Sequence, residues 1–352
     1  MDSLVQLSFG TTQVGAGRPC FFIAEAGVNH NGSLDAALKL VDAAANAGAC
    51  SVKFQTFEAS KLVTQHAQKA EYQKQNTGNN DTQFEMLKQL ELSHDQHREV
   101  VAHCHRRGIL FLSTPFDEQS ADFLNELGVS AFKIPSGEVT NISFLKHVAQ
   151  FGKPMIVSTG MCRLGEVEAA VEALEAVGCR QFVLLHCVSN YPADPADVNL
   201  RAMHTMATAF QVPVGYSDHT LGLEASLAAV ALGACVIEKH FTLDRKLPGP
   251  DHAASLEPHE LKQLVSGIRI IEQCLGTGRK TPAASELSTA AVARRSLVAA
   301  ADLPEGTLLD EAHIAIKRPG TGLPPSMRPH LLQRRLRRAI SAGTLLTLDD
   351  IS

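Results

Sequence analysis

From residue 21 to about residue 275, short apolar runs alternate with longer amphipathic stretches. The runs at 21–25, 51–55, 109–113, 131–134, 155–158, 182–186, 212–217 and 235–239 read as strands. Stretches such as 34–47, 118–127 and 166–177 carry apolar residues three and four apart and read as helices. The strands are apolar throughout rather than alternating, which marks parallel strands covered on both faces. Eight such units predict an α/β fold, a TIM-type (β/α)8 barrel over residues 1–275, rather than an open sheet. One connection breaks the rhythm. Residues 56–90 are polar, with Asn76, Asn79 and Asn80 near the middle, and follow the second strand. A connection of that length is expected to form a functional lid. The pattern stops near Cys274. Residues 276–292, beginning GTGRKTP, read as a linker. Residues 293–352 read as a small, mostly β module, with short runs at 296–299, 314–317 and 339–340 among Gly and Pro turns. About 60 residues bury little core on their own, so this module is expected to rest on the barrel or on a second subunit.

Composition adds exclusions. The 352 residues are 45% hydrophobic and 20% charged, ordinary values for a globular protein. A formal net charge of −5 does not suit a nucleic-acid surface. The local basic stretch from Arg328 to Arg338 reads as a solvated helix face. No apolar run approaches the roughly 20 residues that cross a bilayer. The first ten residues, MDSLVQLSFG, lack the basic and apolar regions of a signal peptide. Eight scattered cysteines without a C-x-x-C pair point to free thiols in a reducing compartment. A cytoplasmic protein with no membrane or nucleic-acid partner is expected.

The strand ends carry chemistry. Glu25 is followed by Asn29, His30 and Asn31; Lys53 by Gln55; Ser113 by Thr114. Lys133 is followed by Ser136 and Glu138, and Ser158 by Thr159 and Gly160. His186, then Ser217, Asp218 and His219, then Glu238, Lys239 and His240 end the last three strands. In a barrel these ends converge on one mouth, and uncompensated polar groups in a barrel interior cost several kcal/mol. The cluster is therefore read as functional. His219 and His240 end adjacent strands and are candidates to share a divalent cation such as Mn2+; hydrogen-bonded core histidines are the alternative. Lys53 and Lys133 facing one cavity need an anion, or their pKa values fall. With Thr114, Ser136, Ser158 and Gly160 they read as a phosphate or carboxylate site, the rival being a Schiff-base lysine of an aldolase. Glu25 and Glu138 can ligate metal, bind hydroxyls, or act as acid and base. Cys187 follows His186 directly and is expected to be a packed core thiol, since strand neighbours point to opposite faces.

The motifs together resemble the sialic acid synthase family. They are FIAEAGVNHNG at 22–32, VKFQT at 52–56, LSTPF at 112–116, KIPSGE at 133–138, STGM at 158–161, GYSDH at 215–219, EKHF at 238–241 and PGPD at 248–251. The stretch with KRPG at 317–320 resembles that family's small antifreeze-like (SAF) domain. The resemblance implies condensation of phosphoenolpyruvate with an N-acetylated mannose-type sugar, giving a nine-carbon 2-keto acid and phosphate. It implies that His219 and His240 hold Mn2+, or Mg2+ or Co2+ in its place, with no organic cofactor. Lys53, Thr114, Lys133, Ser136 and Ser158 would hold phosphoenolpyruvate. Glu25, Gln55, Tyr191 and Asp251 would meet the sugar, and Arg318 would reach over from the partner in a domain-swapped homodimer. Glu138 is the candidate for activating water. Ser189 stands where part of the family has a phosphate-contacting Asn, and the loop Asn that meets the sugar is Asn79 or Asn80. The expected acceptor is N-acetylmannosamine, giving N-acetylneuraminate. The alternative is a 2,4-diacetamido-2,4,6-trideoxyhexose, giving legionaminic or pseudaminic acid.

Overall fold

The computed structural model describes residues 7–78 and 81–352. The chain divides into two compact units, 1–276 and 277–352.

The first unit opens with a hairpin, β1 (Leu7–Phe9) and β2 (Thr12–Val14). Eight parallel strands follow: β3 (Phe21–Gly27), β4 (Ser51–Thr56), β5 (Leu110–Pro115), β6 (Phe132–Ile134), β7 (Met155–Ser158), β8 (Phe182–Cys187), β9 (Val214–Asp218) and β10 (Val236–His240). The hydrogen-bonded order runs β5-β4-β3-β10-β9-β8-β7-β6, and β5 lies alongside β6 to complete the ring. This is the predicted (β/α)8 barrel, and each strand lies within two residues of its expected bounds. The helix of Leu34–Ala47 shows why the segments fold locally. Ser33 caps its first turn through Ala36 N–H, and Gly48 ends it at φ 82°, a left-handed conformation that favours glycine. Its apolar face, including Leu40, Val41 and Ala44, joins the core between helices and sheet.

Inside the ring, side chains alternate with a period of two. Phe21, Ile23, Leu112, Ile156, Val183, Leu185 and Val236 fill the lower interior together with Leu7, Phe9 and Val14 of the hairpin. Phe9 meets Phe21 edge to face at 5.1 Å between centroids. The hairpin therefore plugs the barrel at the N-terminal ends of its strands. Continuing along the same inward columns, Ile23 gives way to Glu25, Leu112 to Thr114, Ile156 to Ser158 and Val236 to Glu238. On these four strands the inward column is apolar at its base and polar at its mouth.

The described residues of the 57–92 segment carry helical structure. They form three short helices, Ala59–Leu62, Glu71–Thr77 and Gln83–Gln89. Met86 and Leu90 pack with Val28 and Phe57 as a small apolar cluster of their own. The buried ammonium of Lys69 donates to Thr77 Oγ1 and to the Gly78 carbonyl, each at 2.9 Å, and pairs with Asp81. Among the described residues, no helix is long and apolar enough to cross a membrane.

The second unit pairs β11 (Ser296–Ala299) with β12 (Ile314–Lys317) antiparallel, over a core that includes Leu297, Leu309, Ile314, Leu336 and Leu346. Two expectations change here. The stretch read as a linker contains the helix Leu287–Ala293. The basic stretch is a helix only over Arg328–Leu331; beyond it, Arg335 and Ile340 belong to isolated antiparallel bridges with Leu308 and Leu303. Leu331 and Leu336 are buried, so core packing sets the backbone there and leaves the arginines between them exposed.

Candidate active site

The mouth of the barrel encloses a cavity of about 410 Å³. On one side stand the two lysines. Lys53 Nζ lies 2.6 Å from Glu25 Oε2, donates to Thr114 Oγ1 at 2.9 Å, and lies 3.8 Å from Glu238 Oε2. Lys133 Nζ lies 3.5 Å from Glu238 Oε1 and donates to the Ile134 carbonyl at 3.2 Å. Ser136, Ser158 and Ser189 share this wall. Ser158 Oγ is buried and has no hydrogen-bond partner among the described residues. A hydroxyl left open in that way is rare in a folded interior and suits a ligand.

Burial sets the protonation of the carboxyls. Loss of water raises Glu25 to about 7, although Lys53 pulls it down, and the Glu238 carboxylate adds to the rise. Burial also works against Glu238, but Lys133 and Lys53 outweigh it and hold that group below its ordinary value. Burial pushes Lys133 below the usual lysine range, against the pull of Glu238. Two lysines thus face one carboxylate held ionised and one that shares its proton near neutral pH. The site is biased toward an anion.

Across the cavity stand His219 and His240, with ring centroids 5.6 Å apart. His219 Nδ1 donates to the Val188 carbonyl at 2.6 Å, which leaves Nε2 with its lone pair. Burial lowers His219 to about 4 and His240 well below its ordinary value, so both rings are neutral at pH 7. His240 Nδ1 is buried without a partner among the described residues. Neutral imidazoles with open nitrogens are the ligand form. Among the described residues, no group of three or more His, Cys, Asp or Glu side chains could hold a metal ion. Two such imidazoles suit a divalent ion whose remaining ligands are substrate and water oxygens.

Tyr191 bridges toward the third wall. Its ring lies 4.2 Å from His219, 5.5 Å from His240 and 5.0 Å from Tyr72 of the helix Glu71–Thr77. Gln55 and Asp251 complete this side. Burial raises Asp251 from an ordinary 3.8 to about 6. The 57–92 segment supplies Leu62, Val63, Met86, Leu87 and Leu90 as an apolar wall over the mouth.

The cavity thus gathers Glu25, Lys53, Gln55, Thr114, Lys133, Ser136, Ser158, Ser189, Tyr191, His219, His240 and Asp251 from the sequence candidates. One stands elsewhere in the same unit. Glu138 is on the short 3-10 turn Ser136–Glu138, where its Oε2 accepts from Asn141 Nδ2 at 2.7 Å, and it does not line the cavity. A water-activating role for Glu138 would have to act from outside this lining. Arg318 lies in the second unit, exposed, just after β12. Asn79 and Asn80 lie outside the described residues.

The expectation that every polar strand end meets the mouth is also corrected. Alternation turns half of them outward. Lys239 and Asp218 pair at 2.7 Å away from the cavity. His186 donates to the Val198 carbonyl, and Thr159 to that of Leu185. Asn29 donates to the Phe241 carbonyl and Ser255 Oγ. Because His186 turns outward, Cys187 turns inward and lines the cavity, not the core. Glu238, expected at the mouth with the other strand ends but given no role of its own, stands between the two lysines. Its signal was present: two residues before an inward His240 on a strand is also inward.

Residues 40–280 match the NeuB family, and residues 294–352 match the SAF domain. The chain belongs to the NeuB family. It is 51% identical over 341 residues to the N,N'-diacetyllegionaminic acid synthase of Legionella pneumophila, covering 96% of each chain. It is 50% identical to the synthase of the same name from Campylobacter jejuni, covering 86% of this chain and 91% of that one. The crystal structure of N-acetylneuraminic acid (sialic acid) synthetase from Leptospira borgpetersenii, in complex with citrate, superposes with a TM-score of 0.72 at 37% identity. That match covers 81% of this chain and 95% of the other. As a NeuB-family member with a SAF domain, the chain is a biosynthetic enzyme of the sialic acid synthase type.

Proposed function

We propose that this enzyme condenses phosphoenolpyruvate with the open-chain form of an N-acetylated mannose-type sugar and water, releasing phosphate and a nine-carbon 2-keto acid. The observation that carries this reading is the pairing of Lys53 and Lys133, on a hydroxyl-lined wall, with two open imidazoles across one cavity. Lys53, Lys133, Thr114, Ser136 and Ser158 bind the phosphate and carboxylate of phosphoenolpyruvate. Gln55, Tyr191 and Asp251 orient the sugar. C3 of phosphoenolpyruvate attacks the aldehyde carbon, and the aldehyde oxygen takes a proton. Glu25, at about 7, is the group able to hold and give that proton. Water adds at C2, giving up a proton, and the tetrahedral intermediate expels phosphate by C–O cleavage. Lys53 and Lys133 stabilise the phosphate charge as it departs. His219 and His240 are the residues that would hold Mn2+, or Mg2+ or Co2+, and the ion would supply Lewis-acid polarisation of a carbonyl. Arg318 would complete the sugar end from a second subunit of a domain-swapped homodimer. Arg318→Ala should then raise KM for the sugar about tenfold, the scale of one lost charged hydrogen bond, while KM for phosphoenolpyruvate stays within about twofold. Equal rises would exclude that role.

N-acetylmannosamine is one acceptor reading. The apolar wall of Leu62, Val63, Met86, Leu87 and Leu90 favours the other, a 2,4-diacetamido-2,4,6-trideoxyhexose, which presents a methyl and a second acetyl group where N-acetylmannosamine presents hydroxyls. The names of the two relatives at 51% and 50% identity agree with it. The test is phosphate release from phosphoenolpyruvate and Mn2+ with each sugar alone. An apolar pocket discriminates a methyl-sized difference by about tenfold or more in kcat/KM. A tenfold preference for N-acetylmannosamine would reverse the choice. No phosphate with either sugar would overturn the condensation. Borohydride trapping of pyruvate on a lysine would replace it with Schiff-base chemistry.

A further inference from the structure

Cys187 stands on the anion side of the cavity with no part in the proposed reaction. Its Sγ lies 3.1 Å from Ser136 Oγ, and Ser136 Oγ accepts from Gly160 N–H at 2.9 Å. The three groups meet closely. A Cβ on Gly160 would come within 2.3 Å of Ser189 Oγ, 2.7 Å of Cys187 Sγ and 3.0 Å of Ser136 Oγ, so only a bare backbone lets them converge.

Counting hydrogens separates two arrangements. A serine hydroxyl has one hydrogen and two lone pairs. Gly160 N–H takes one lone pair. If Ser136 donated to the sulfur, no hydrogen would remain for an anion. If the thiol donates to Ser136 Oγ, both lone pairs are filled and the serine hydrogen is left for the cavity. Burial raises the Cys187 thiol above its ordinary value, so the sulfur keeps the hydrogen this needs. An anion offers only acceptors, so its binding selects the second arrangement.

We propose that Cys187 is a positioning residue for anion binding: its S–H fills the second lone pair of Ser136 Oγ and turns the serine hydrogen toward the bound substrate. The inference rests on the reading that phosphoenolpyruvate occupies the lysine side of the cavity.

Two measurements test it on the full-length protein. Infrared difference spectra between the parent and Cys187→Ala isolate the S–H stretch of this thiol. Ser136→Ala should shift that band to the higher frequency of a thiol without an acceptor; an unmoved band overturns the inference. Calorimetric titration with phosphoenolpyruvate should show Cys187→Ala weakened about tenfold, the scale of one charge-assisted hydrogen bond. KM for phosphoenolpyruvate should rise in parallel while KM for the sugar does not. Cys187→Ser, whose hydroxyl can also donate, should recover most of the loss. The double variant Ser136→Ala, Cys187→Ala should bind no more weakly than Ser136→Ala alone, because the thiol acts through the serine. Parent-like binding by Cys187→Ala, or Cys187→Ser as weak as Cys187→Ala, overturns the role. If Cys187→Ala does not fold, Cys187→Ser, which also lacks an S–H, becomes the infrared reference and the shift on Ser136→Ala decides. A parent protein that binds no phosphoenolpyruvate would instead overturn the proposed reaction itself.

Discussion

Lys239 and Glu238 are neighbours on β10, and each belongs to a buried ionic cluster. On the helix-facing side, Lys239 Nζ donates to Asp218 Oδ2 at 2.7 Å and to the Thr220 carbonyl at 2.8 Å. Asp218 also accepts from Thr220 N–H, Thr220 Oγ1 and Ser226 Oγ. Burial opposes its charge, yet Lys239 and these hydrogen bonds hold it below the ordinary carboxylate range. On the cavity side, Glu238 sits between Lys53 and Lys133 at 3.8 and 3.5 Å, Glu25 is raised to about 7, and Ser158 Oγ and His240 Nδ1 have no partner among the described residues. Both clusters cost desolvation. The outer one closes all its bonds within the protein and serves as architecture. The inner one leaves bonds open, and open bonds in a buried cluster mark the place a ligand completes.

That contrast can be broken by substituting one lysine from each side. Lys53→Met should lower kcat/KM about 10³-fold, the loss of a principal charge donor in a dry site, with only a small change in Tm because Glu25 can take up a proton in compensation. Lys239→Met should do the reverse. It strands Asp218 as an unpaired buried charge, so denaturant unfolding should show a loss of about 3–5 kcal/mol. If Lys53→Met unfolded the protein and Lys239→Met did not, the division between site and architecture would be wrong.

A smaller effect sharpens the idea that the site is held at a cost. Asp251 has a folded pKa of about 6 against an ordinary 3.8, a difference of ~3 kcal/mol. The sign follows from proton binding. Below 3.8 both states are protonated and nothing is lost; as pH rises through 6 the unfolded state has already ionised and the folded state does so at a penalty. Asp251→Asn should therefore be as stable as the parent near pH 3.5 and about 3 kcal/mol more stable at pH 8, while losing sugar binding. A pH-independent difference in Tm would refute this. The smallest effect concerns Glu138, which lies off the cavity. Glu138→Gln should leave kcat within about twofold, the ordinary consequence of a surface substitution away from substrate. A hundredfold fall would return Glu138 to the water-activating role.

Much of the barrel was legible in the chain, because a parallel strand buried on both faces is apolar from end to end, and 182–186 or 235–239 cannot easily be anything else. The lysines, histidines and serines at the strand ends were legible for the complementary reason: a polar group that ends such a run has to be explained. Cys187 was misjudged, and Glu238 was not told apart from Lys239, because the outward neighbours Lys239 and His186 are just as polar, and composition at a strand end does not say which face each residue takes. The helices inside the long connection after the second strand were not legible, because they are four to seven residues long and polar, too short for periodicity to show. The plug formed by Leu7, Phe9 and Val14 was invisible because three apolar residues become a core only against the open base of a closed ring.

By itself, then, the amino-acid order determined the architecture and the kinds of group at the mouth, since both follow from local pattern and from the cost of burying polarity. Only the tertiary structure decided which polar strand ends face the cavity and which face the helices. That choice depends on strand register around the ring. It separates Glu238, between two lysines inside the barrel, from Lys239, locked to Asp218 outside it, though the two are adjacent in the chain.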